Sequence, residues 1–505
     1  MGLCSLVVGG LVMFGGMSEK PRSIKVGYGQ PWKSIHPGLQ HTAVADFVLS
    51  NQFEALVGYD QNNNIVPLGA KSWRVNDDMT VYTFKIDTDR KFSDGSSLTS
   101  HDYKRSWEEA LSLDPKSANS SLADVLHMLE GADRFHNLGY ISGIETPDSS
   151  TLILRFKETY RTALDYLHGN RLAAYKKVGD RYIGTGAYSL RELGTDNLVA
   201  QKNPYSNLSS KGSELEMIVI DPTTLKKSIE SGIIDIYAFE AGSRVAQENL
   251  TGPNTKVLVG QDAINEALYL NSLPGRLFSD KRLRKALLYL IHQAPSGANK
   301  LVRNPKYFSS DPQALLPLQA GRLSDQEANK LVQDGERYVP ILIEESKKKP
   351  LIVYVGKGET WVLDHLENFG LVIDRNLSKE ADPSERISNY YKEHRSDILL
   401  AGYSISGADP DSVYHVMGKH GAITSPMIQS RVIAEILEDG RQIVDSNRVN
   451  TQYEKFSRAF LEEVPLVHLG FSKAITVYNS KRVGIDSAVI RRNNGHLYPF
   501  YSKSP

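Results

Sequence analysis

The sequence predicts an α/β fold, and two stretches carry this prediction. The first, from Ile65 to Leu111, has the pattern of strands followed by a turn and a capped helix. The second begins with a buried-type strand at Pro350 and continues with an amphipathic helix over 361–369 and another strand over 371–373. Strands that alternate with helices are typical of a sheet covered by helices. At 505 residues, of which 40% are hydrophobic, the chain is long enough for several domains with large cores.

The first stretch changes its apolar period partway along. Over 81–86, Tyr82, Phe84 and Ile86 occupy alternate positions, and this period of two predicts a half-buried strand. Asp94-Gly95 predicts a turn, because glycine tolerates the positive φ that such turns need. The stretch has no cluster of His, Cys or paired carboxylates, so its residues predict a scaffold and not a reactive site.

The helix that follows the turn begins with a predicted capping box. Thr99 is the predicted N-cap, with Asp102 three residues later as its acidic partner. An apolar stripe at helical spacing then faces the strands and consists of Tyr103, Trp107 and Leu111. The spacing therefore predicts an amphipathic helix packed on the predicted strand.

The charge balance argues against a polyanionic partner. Lys and Arg together number 59, as do Asp and Glu, so no net field favours nucleic acid. We expect neither a metal nor a cofactor. His415 and His420 are five positions apart, off the spacing of a helical zinc pair, and Gly356-Lys-Gly lacks the rest of a phosphate-binding loop.

Residues 1–18 have the character of an export signal. An apolar run lies between Gly2 and Gly16, shorter than a membrane span but as long as the apolar region of a signal peptide. Gly16-Met17-Ser18 offers a cleavage site, which places the start of the mature chain near Glu19. Cys4 is the only cysteine, so the mature chain would contain no thiol, consistent with an oxidising compartment. We therefore expect a periplasmic chain, soluble or membrane-associated through this segment if it stays uncleaved.

Several sequence runs together resemble one family. The stretch from Ala70 to Asp102 contains Lys-Ser-Trp, Tyr-Thr-Phe, Lys-Phe-Ser-Asp-Gly and Leu-Thr-Ser-His-Asp in that order. Further runs are Gly184-Thr-Gly-Ala-Tyr, Ser231-Gly-Ile-Ile-Asp and Phe278-Ser-Asp-Lys-Arg-Leu-Arg-Lys-Ala. These runs resemble those of the family-5 extracellular solute-binding proteins, the oligopeptide and dipeptide receptors of ABC importers. The resemblance extends from about Ile24 to about Val483.

The resemblance implies a two-lobed periplasmic binding protein of type II, similar to cluster C, with a third, smaller domain inserted in lobe one. It also implies where the domains divide. Lobe one is expected over 19–56, 179–270 and 474–505, the inserted domain over 57–178 and lobe two over 271–473. A ligand would lie in the cleft between the lobes, and closure about a hinge would bury it.

Two loops are expected, from the same resemblance, to contact the ligand. One follows the first strand, and here it supplies Gln30, Trp32 and Lys33. An exposed Trp32 would suit this role, whereas packing of Trp32 on its own lobe is the alternative. The other loop follows the strand that begins at Asp397, and it supplies Tyr403, Ser404, Ser406 and Asp409.

Ser406 departs from the family pattern. In peptide-binding members the matching residue is an aspartate that pairs with the α-ammonium of the peptide, while Tyr403 matches a ligand-facing aromatic residue. A serine hydroxyl accepts a hydrogen bond but does not neutralise an ammonium, whose unpaired burial is costly. Either Asp409 or Asp411 substitutes for the missing aspartate, or the ligand is not an ordinary peptide with a free amino terminus.

The resemblance implies a receptor and not an enzyme. Such a receptor would capture oligopeptides and deliver them to the membrane subunits of an ABC importer, as a monomer. A modified peptide such as a cell-wall fragment, or a non-peptide cargo, is the alternative within this class. A serine hydrolase would use Ser404 in the run 402–407, but Ser406 replaces the glycine that the strained turn of a nucleophile elbow needs. A third hypothesis is a chaperone or sensor without a small ligand.

Overall fold

The computed structural model describes most of the chain. The described residues are 23–29, 31–32, 35–39, 43–60, 64–113, 125–168, 172–208, 214–238, 252–293, 308–356, 359–380, 390–403, 405, 409–419, 430–485 and 500–502. The predicted export segment over 1–18 lies outside them. So do four of the predicted ligand contacts, Gln30, Lys33, Ser404 and Ser406.

Strands and helices alternate along the described chain. The strands are β1 (Ile24–Tyr28), β2 (Val57–Tyr59), β3 (Ile65–Pro67), β4 (Ala70–Val75), β5 (Val81–Ile86), β6 (Ile144–Asp148), β7 (Thr151–Arg155), β8 (Lys176–Val178), β9 (Arg181–Ile183), β10 (Tyr188–Leu193), β11 (Asn197–Lys202), β12 (Glu214–Val219), β13 (Ile236–Ala238), β14 (Thr255–Leu270), β15 (Phe308–Ser310), β16 (Val353–Val355), β17 (Lys379–Glu380), β18 (Ile398–Tyr403), β19 (Leu466–Asn479), β20 (Val483–Ile485) and β21 (Phe500–Ser502). The α-helices are α1 (Ala43–Ser50), α2 (Ser100–Leu113), α3 (Phe135–Leu138), α4 (Ala163–Tyr166), α5 (Leu225–Ser231), α6 (Lys281–Gln293), α7 (Asp325–Gln333), α8 (Val339–Lys348), α9 (Trp361–Asn368), α10 (Tyr414–Met417), α11 (Arg431–Arg441) and α12 (Ser446–Glu463). Short 3-10 helices cover Ala132–Arg134, Pro222–Thr224, Leu277–Ser279, Glu336–Tyr338 and Pro410–Val413.

The largest sheet combines parallel and antiparallel strands. Its order is β10-β11-β12-β1-β13-β19-β14-β18-β16-β17, with β15 paired to β19. β1 is parallel to β12 and β13, and β16 is parallel to β17 and β18. Between these parallel groups, β14 and β19 are antiparallel to each of their partners. The predicted α/β class is therefore confirmed, with a mixed sheet at its centre.

β14 and β19 join the two parts of this sheet. They are 16 and 14 residues long, and they pair with each other along most of that length. On one side β19 also pairs with β13, where Ile236 lies opposite Tyr478. Further along, β14 pairs with β18, where Asn265 lies opposite Tyr403. The ladder between β14 and β19 shifts its register three times between Val259 and Ala267, and such bulges locally bend and twist strands.

A separate four-stranded sheet, in the order β4-β5-β7-β6, packs against helix α2. The alternating apolar face predicted for β5 is buried, with Tyr82, Phe84 and Ile86 at most 2% exposed. The predicted stripe of α2 is buried in the same hydrophobic cluster and consists of Tyr103, Trp107 and Leu111. Both periodicity predictions are thus confirmed.

The turn and the start of α2 agree with the prediction in most respects. Gly95 has a φ of 85°, the left-handed value expected of this turn. The backbone N–H and the hydroxyl of Thr99 both donate to Asp102 Oδ2, at 2.9 and 2.7 Å. The N–H of Asp102 donates to the Thr99 carbonyl instead of its hydroxyl. Only the acidic half of the predicted capping box is present, because the hydroxyl is used as a donor.

In the stretch that begins at Pro350, β16 confirms the predicted strand and α9 confirms the predicted helix over 361–369. The strand predicted over 371–373 is absent from the described chain, where Ile373 forms only an isolated bridge with Leu351. The predicted domain boundaries stay a prediction. Within the described residues, no helix combines the length and the apolar character that a membrane crossing requires.

Replacement of Trp107 by alanine should strongly destabilise the chain. The side chain is 1% exposed, and its indole N–H donates to the Leu172 carbonyl at 2.9 Å. Loss of a buried tryptophan costs about 3–5 kcal/mol through lost transfer free energy and a new cavity. The measurement is the free energy of unfolding from denaturant titration. Leu318→Ala, at a side chain 75% exposed, is the control and should change this free energy by less than about 0.5 kcal/mol. Equal losses in the two variants would contradict the packing described for α2.

Candidate functional site

Tyr403 ends β18, next to the paired strands β14 and β19, which we name the central strand pair. Its partner across the ladder is Asn265 of β14. The side chain is buried, and its hydroxyl has no hydrogen-bond partner among the described residues. Its ring lies 6.4 Å from the ring of His468 on β19. Tyr403 thus lies where the two parts of the large sheet meet, and its contact with a ligand stays a prediction.

The prediction that Trp32 is exposed is wrong. The side chain is 7% exposed, and its Nε1 donates to the carbonyl of Gly194 at 3.1 Å. Gly194 lies in the turn between β10 and β11, within predicted lobe one. Trp32 therefore packs on its own lobe, the alternative that the sequence left open. A contact with a ligand stays a prediction for this residue.

Asp409 is held by an arginine from a distant part of the chain. Arg161 lies between β7 and α4, and its Nε donates to Asp409 Oδ2 at 2.7 Å while its Nη2 donates to Oδ1 at 2.9 Å. This two-point contact matches a planar guanidinium to a carboxylate. The remaining nitrogen, Nη1, donates to the carbonyls of Ile443 and Gly440 at 2.6 and 3.1 Å. All three guanidinium nitrogens of Arg161 are therefore bonded.

Asp411 is 1% exposed and also has protein partners. The hydroxyl of Tyr453 donates to its Oδ1, and that of Thr162 donates to its Oδ2 at 3.1 Å. Nε of Arg441 lies 3.7 Å from the same Oδ2. Burial raises the pKa of Asp411, while Arg441 and the Tyr453 hydrogen bond act in the opposite direction. Each of the two aspartates proposed to bind an ammonium is thus engaged within the protein.

Arg441, the last residue of α11, lies between two aromatic rings. Its guanidinium is 3.9 Å from the ring centre of Tyr414 and 5.1 Å from that of Tyr160. Such cation–π contacts favour a partly desolvated cation. We name the group of buried or half-buried polar residues around it the Arg161 cluster, which consists of Arg161, Thr162, Asp165, Asp409, Asp411 and Arg441.

The Arg161 cluster links segments that the sequence assigns to different domains. Arg161, Thr162 and Asp165 lie in the predicted inserted domain, and the other three members lie in predicted lobe two. Nearby, the hydroxyl of Tyr166 donates to the carbonyl of Ser412 at 3.2 Å. Buried charges are costly unless they are paired, so removal of one member would leave its partner uncompensated. The cluster therefore connects these two segments through buried polar contacts.

Burial raises the pKa of Asp165 in this cluster to about 7. The hydroxyl of Tyr59, which donates to Asp165 Oδ1, lowers this pKa, as does Arg161. The negative charges of Asp409 and Asp411 raise it further. The Asp165 carboxyl therefore titrates near neutral pH, unlike an exposed aspartate.

Three uncharged side chains lie on or next to the central strand pair, and we name them the neutral set: Asn265 of β14, Tyr403 of β18 and His468 of β19. Asn265 is fully buried, and neither its Oδ1 nor its Nδ2 has a partner in the described chain. Nδ1 of His468 donates to the carbonyl of Asp311 at 2.7 Å, which leaves Nε2 as an acceptor without a described partner. Burial lowers the pKa of His468 to about 3, so its ring is neutral.

Sequence reasoning identified Asp409 and Asp411 but missed the other four members of the Arg161 cluster, and it also missed Asn265 and His468 of the neutral set. One signal was available, since Arg161 is the only charged residue in the run Thr159–Leu164. A lone cation among uncharged residues indicates a search for a buried carboxylate partner.

Among the described residues, no group of three or more His, Cys, Asp or Glu is placed to hold a metal ion.

Asp165→Asn should change how stability depends on pH. The folded pKa of about 7 exceeds the unfolded value of about 3.9, so the wild-type chain loses free energy of unfolding as pH rises between these values. The free energy of unfolding falls by about 1.4 kcal/mol for each pH unit between the two pKa values. Asparagine has no charge to desolvate and retains an oxygen for the Tyr59 hydroxyl. The variant should therefore gain stability relative to wild type up to about pH 7, with a constant difference above it.

The measurement is the free energy of unfolding of both chains across this pH range. Asp133→Asn, at a carboxylate whose side chain is 66% exposed, provides the matched control. A difference between Asp165→Asn and wild type that does not vary with pH would contradict the raised pKa.

Comparison with known proteins identifies the fold and the family. The model of the bacterial extracellular solute-binding proteins, family 5 Middle, matches residues 64–425. The periplasmic oligopeptide-binding protein OppA of Escherichia coli is 28% identical over 172 residues, which are 30% of each chain. The first curated relatives, from Haemophilus influenzae, are matched over 33% and 44% of their length, so the chain spans less than half of each.

Solved structures match nearly the whole chain at lower identity. The PBP AgaA from A. tumefaciens R10, in complex with agropinic acid, has a TM-score of 0.75 at 20% identity, with 96% of this chain and 99% of that one covered. The periplasmic binding protein DppA from Helicobacter pylori, in complex with the peptide STSA, has a TM-score of 0.77 at 16% identity, with 96% and 98% covered. These matches show the fold of the two-lobed periplasmic binding proteins. Because the family model spans well over half of its length, the chain belongs to the bacterial extracellular solute-binding proteins of family 5.

Proposed function

We propose that the chain is an extracytoplasmic receptor that captures a peptide between its lobes and delivers it to the membrane subunits of an ABC importer. The observation that carries this proposal is the family match over residues 64–425. Curated relatives named as oligopeptide-binding and dipeptide-binding proteins support a peptide cargo. The complex of AgaA with agropinic acid shows that a structural relative holds a ligand of a different kind, so a modified peptide or non-peptide cargo is the alternative.

The proposed ligand position is the cleft beside the central strand pair. Tyr403 ends β18 there, and the loop that follows it leads to Asp409. The loop after β1, with Gln30, Trp32 and Lys33, would approach from lobe one. Since β14 and β19 connect both parts of the large sheet, bending of this pair supplies a hinge for closure. A closed cleft removes water from the ligand, which strengthens its polar contacts.

We also propose that the chain has no catalytic role and acts as a monomer. The family consists of solute-binding proteins, and binding alone accounts for the proposed site. The serine hydrolase alternative would require that Ser404 acts as the nucleophile and cleaves the bound peptides. A receptor instead returns its ligand chemically unchanged.

Protein purified from its native host and then denatured should release short peptides detectable by mass spectrometry. The expected result is a ladder of masses, because main-chain hydrogen bonds tolerate varied side chains. A single defined mass would indicate a dedicated modified or non-peptide cargo. Serum albumin carried through the same purification is the control for adventitious peptides.

Peptides identified in this way should raise the melting temperature of the emptied protein and should be recovered intact after prolonged incubation. Binding at a concentration of 100 Kd contributes about 2.7 kcal/mol of stability, which is readily measured. Recovery of cleaved products that disappear in Ser404→Ala would favour the hydrolase and contradict the receptor. Absence of any thermal shift with released or synthetic peptides would remove the peptide cargo.

A further inference from the structure

The loop that follows Tyr403 has two carboxylates, and protein cations neutralise both. Asp409 accepts two hydrogen bonds from Arg161, and a third comes from the backbone N–H of Asp411 at 2.9 Å. Asp411 is buried beside Arg441 and accepts hydrogen bonds from two hydroxyls. An incoming ammonium would find no uncompensated negative charge in either carboxylate. It would have to displace a guanidinium that is already bonded at all three nitrogens.

Resting on the proposed receptor function, we propose that Arg161 is a built-in counter-ion which replaces the ligand ammonium at this loop. The ligand end held beside Tyr403 is then uncharged, and the substrate class is peptides with an acylated amino terminus. In this arrangement the inserted segment supplies the positive charge that an ordinary peptide would bring.

The neutral set supplies the complementary chemistry. The acyl carbonyl of such a peptide accepts hydrogen bonds, and its amide N–H donates one. Asn265 Nδ2 and the Tyr403 hydroxyl are donors, whereas Asn265 Oδ1 and His468 Nε2 are acceptors. All these atoms are buried without a described partner, which is unfavourable until a ligand or water satisfies them. Asn265 and His468 have no exposed surface and Tyr403 is 7% exposed, so a ligand would reach these atoms only when the two parts of the sheet move apart.

Glu266 is a further carboxylate on β14 and a competing anchor for an ammonium. It is 6% exposed and accepts a hydrogen bond from the Ser472 hydroxyl. Because successive residues of a strand point to opposite faces, Glu266 faces away from the neighbouring Asn265. Its position therefore separates it from the neutral set, and a variant at this residue tests the competing arrangement directly.

The experiment compares one pool of lysine-free short peptides before and after acetylation of the amino terminus. The acetylated and the unacetylated portions of the pool are each mixed with the full chain after its endogenous ligand has been removed. The affinity of each retained sequence is then measured by calorimetry, once with an acetylated and once with a free amino terminus. We expect acetylated peptides to bind at least about tenfold more tightly than the same sequences with a free amine, because an unpaired ammonium is costly to desolvate. The wild-type chain alone is enough to decide this ratio.

Arg161→Gln tests the counter-ion role. With Asp409 released, the preference should shift towards free amines by at least about tenfold. The double variant Arg161→Gln with Asp409→Asn removes both charges and should restore the preference for acetylated peptides. Melting temperatures and circular dichroism establish that each variant is folded. Arg161→Lys, which keeps the charge, should retain the wild-type preference.

Other outcomes overturn the inference in distinguishable ways. Tighter binding of free-amine peptides by the wild-type chain, or equal binding of both forms, would overturn it and leave the peptide receptor intact. Free-amine binding that disappears in Glu266→Gln would identify Glu266 as the ammonium partner. Retention of neither form would overturn both this inference and the peptide-receptor function on which it rests.

Discussion

The structure depends on the antiparallel pairing of β14 with β19. The strands on one side of the large sheet attach to this pair through β13, and those on the other side attach through β18. Each attachment uses a different portion of the pair, so the two parts of the sheet share these two strands. The register shifts between Val259 and Ala267 lie close to the boundary between the portions. Bulges concentrate twist and bending, so the closure proposed above would bend the chain at these shifts.

The Arg161 cluster adds a second link, and its physical character differs from that of the strand pair. Each hydrogen bond of a strand ladder contributes modestly to stability. Separation of a buried guanidinium from its carboxylate leaves two unpaired charges, which is costly unless water reaches them. Such a pair contributes little net stability compared with apolar packing, whereas removal of one partner is strongly destabilising because it leaves an uncompensated buried charge. The bonds from Arg161 to Asp409 and to the carbonyls of Gly440 and Ile443 therefore connect parts of the chain that are about 250 to 280 residues apart, and loss of Arg161 would leave Asp409 uncompensated.

Local patterns in the sequence were sufficient for the elements whose neighbours are close in the chain. The alternation of Tyr82, Phe84 and Ile86 depends only on the pleat of one strand, and its burial is as predicted. Trp32 was expected to be exposed because the family resemblance places its loop beside the ligand. Its actual partner, the carbonyl of Gly194, is 162 residues away in the chain. Long-range partners leave no periodic signal in the sequence.

The same limit applied to the candidate site. The family resemblance indicated the loop after Tyr403, and it raised Asp409 or Asp411 as replacements for an aspartate missing at Ser406. It did not indicate that Arg161, 248 residues before Asp409, would form hydrogen bonds to the Asp409 carboxylate. The roles of individual residues in this site depend on charges brought together by the tertiary fold, and spacing along the chain does not encode them.

The topology of β14 and β19 has a consequence for the order of folding. The β4-β5-β7-β6 sheet closes within one segment of the chain, whereas Ala267 of β14 finds its partner His468 only after nearly all of predicted lobe two has been made. Closing so long a loop costs entropy before the pairing repays it, so long-range sheets form slowly. The chain would thus assemble its small sheet early and its central pair late. The family to which the chain belongs is extracellular, and slow completion of the central sheet would keep such a polypeptide unfolded for longer while it is exported.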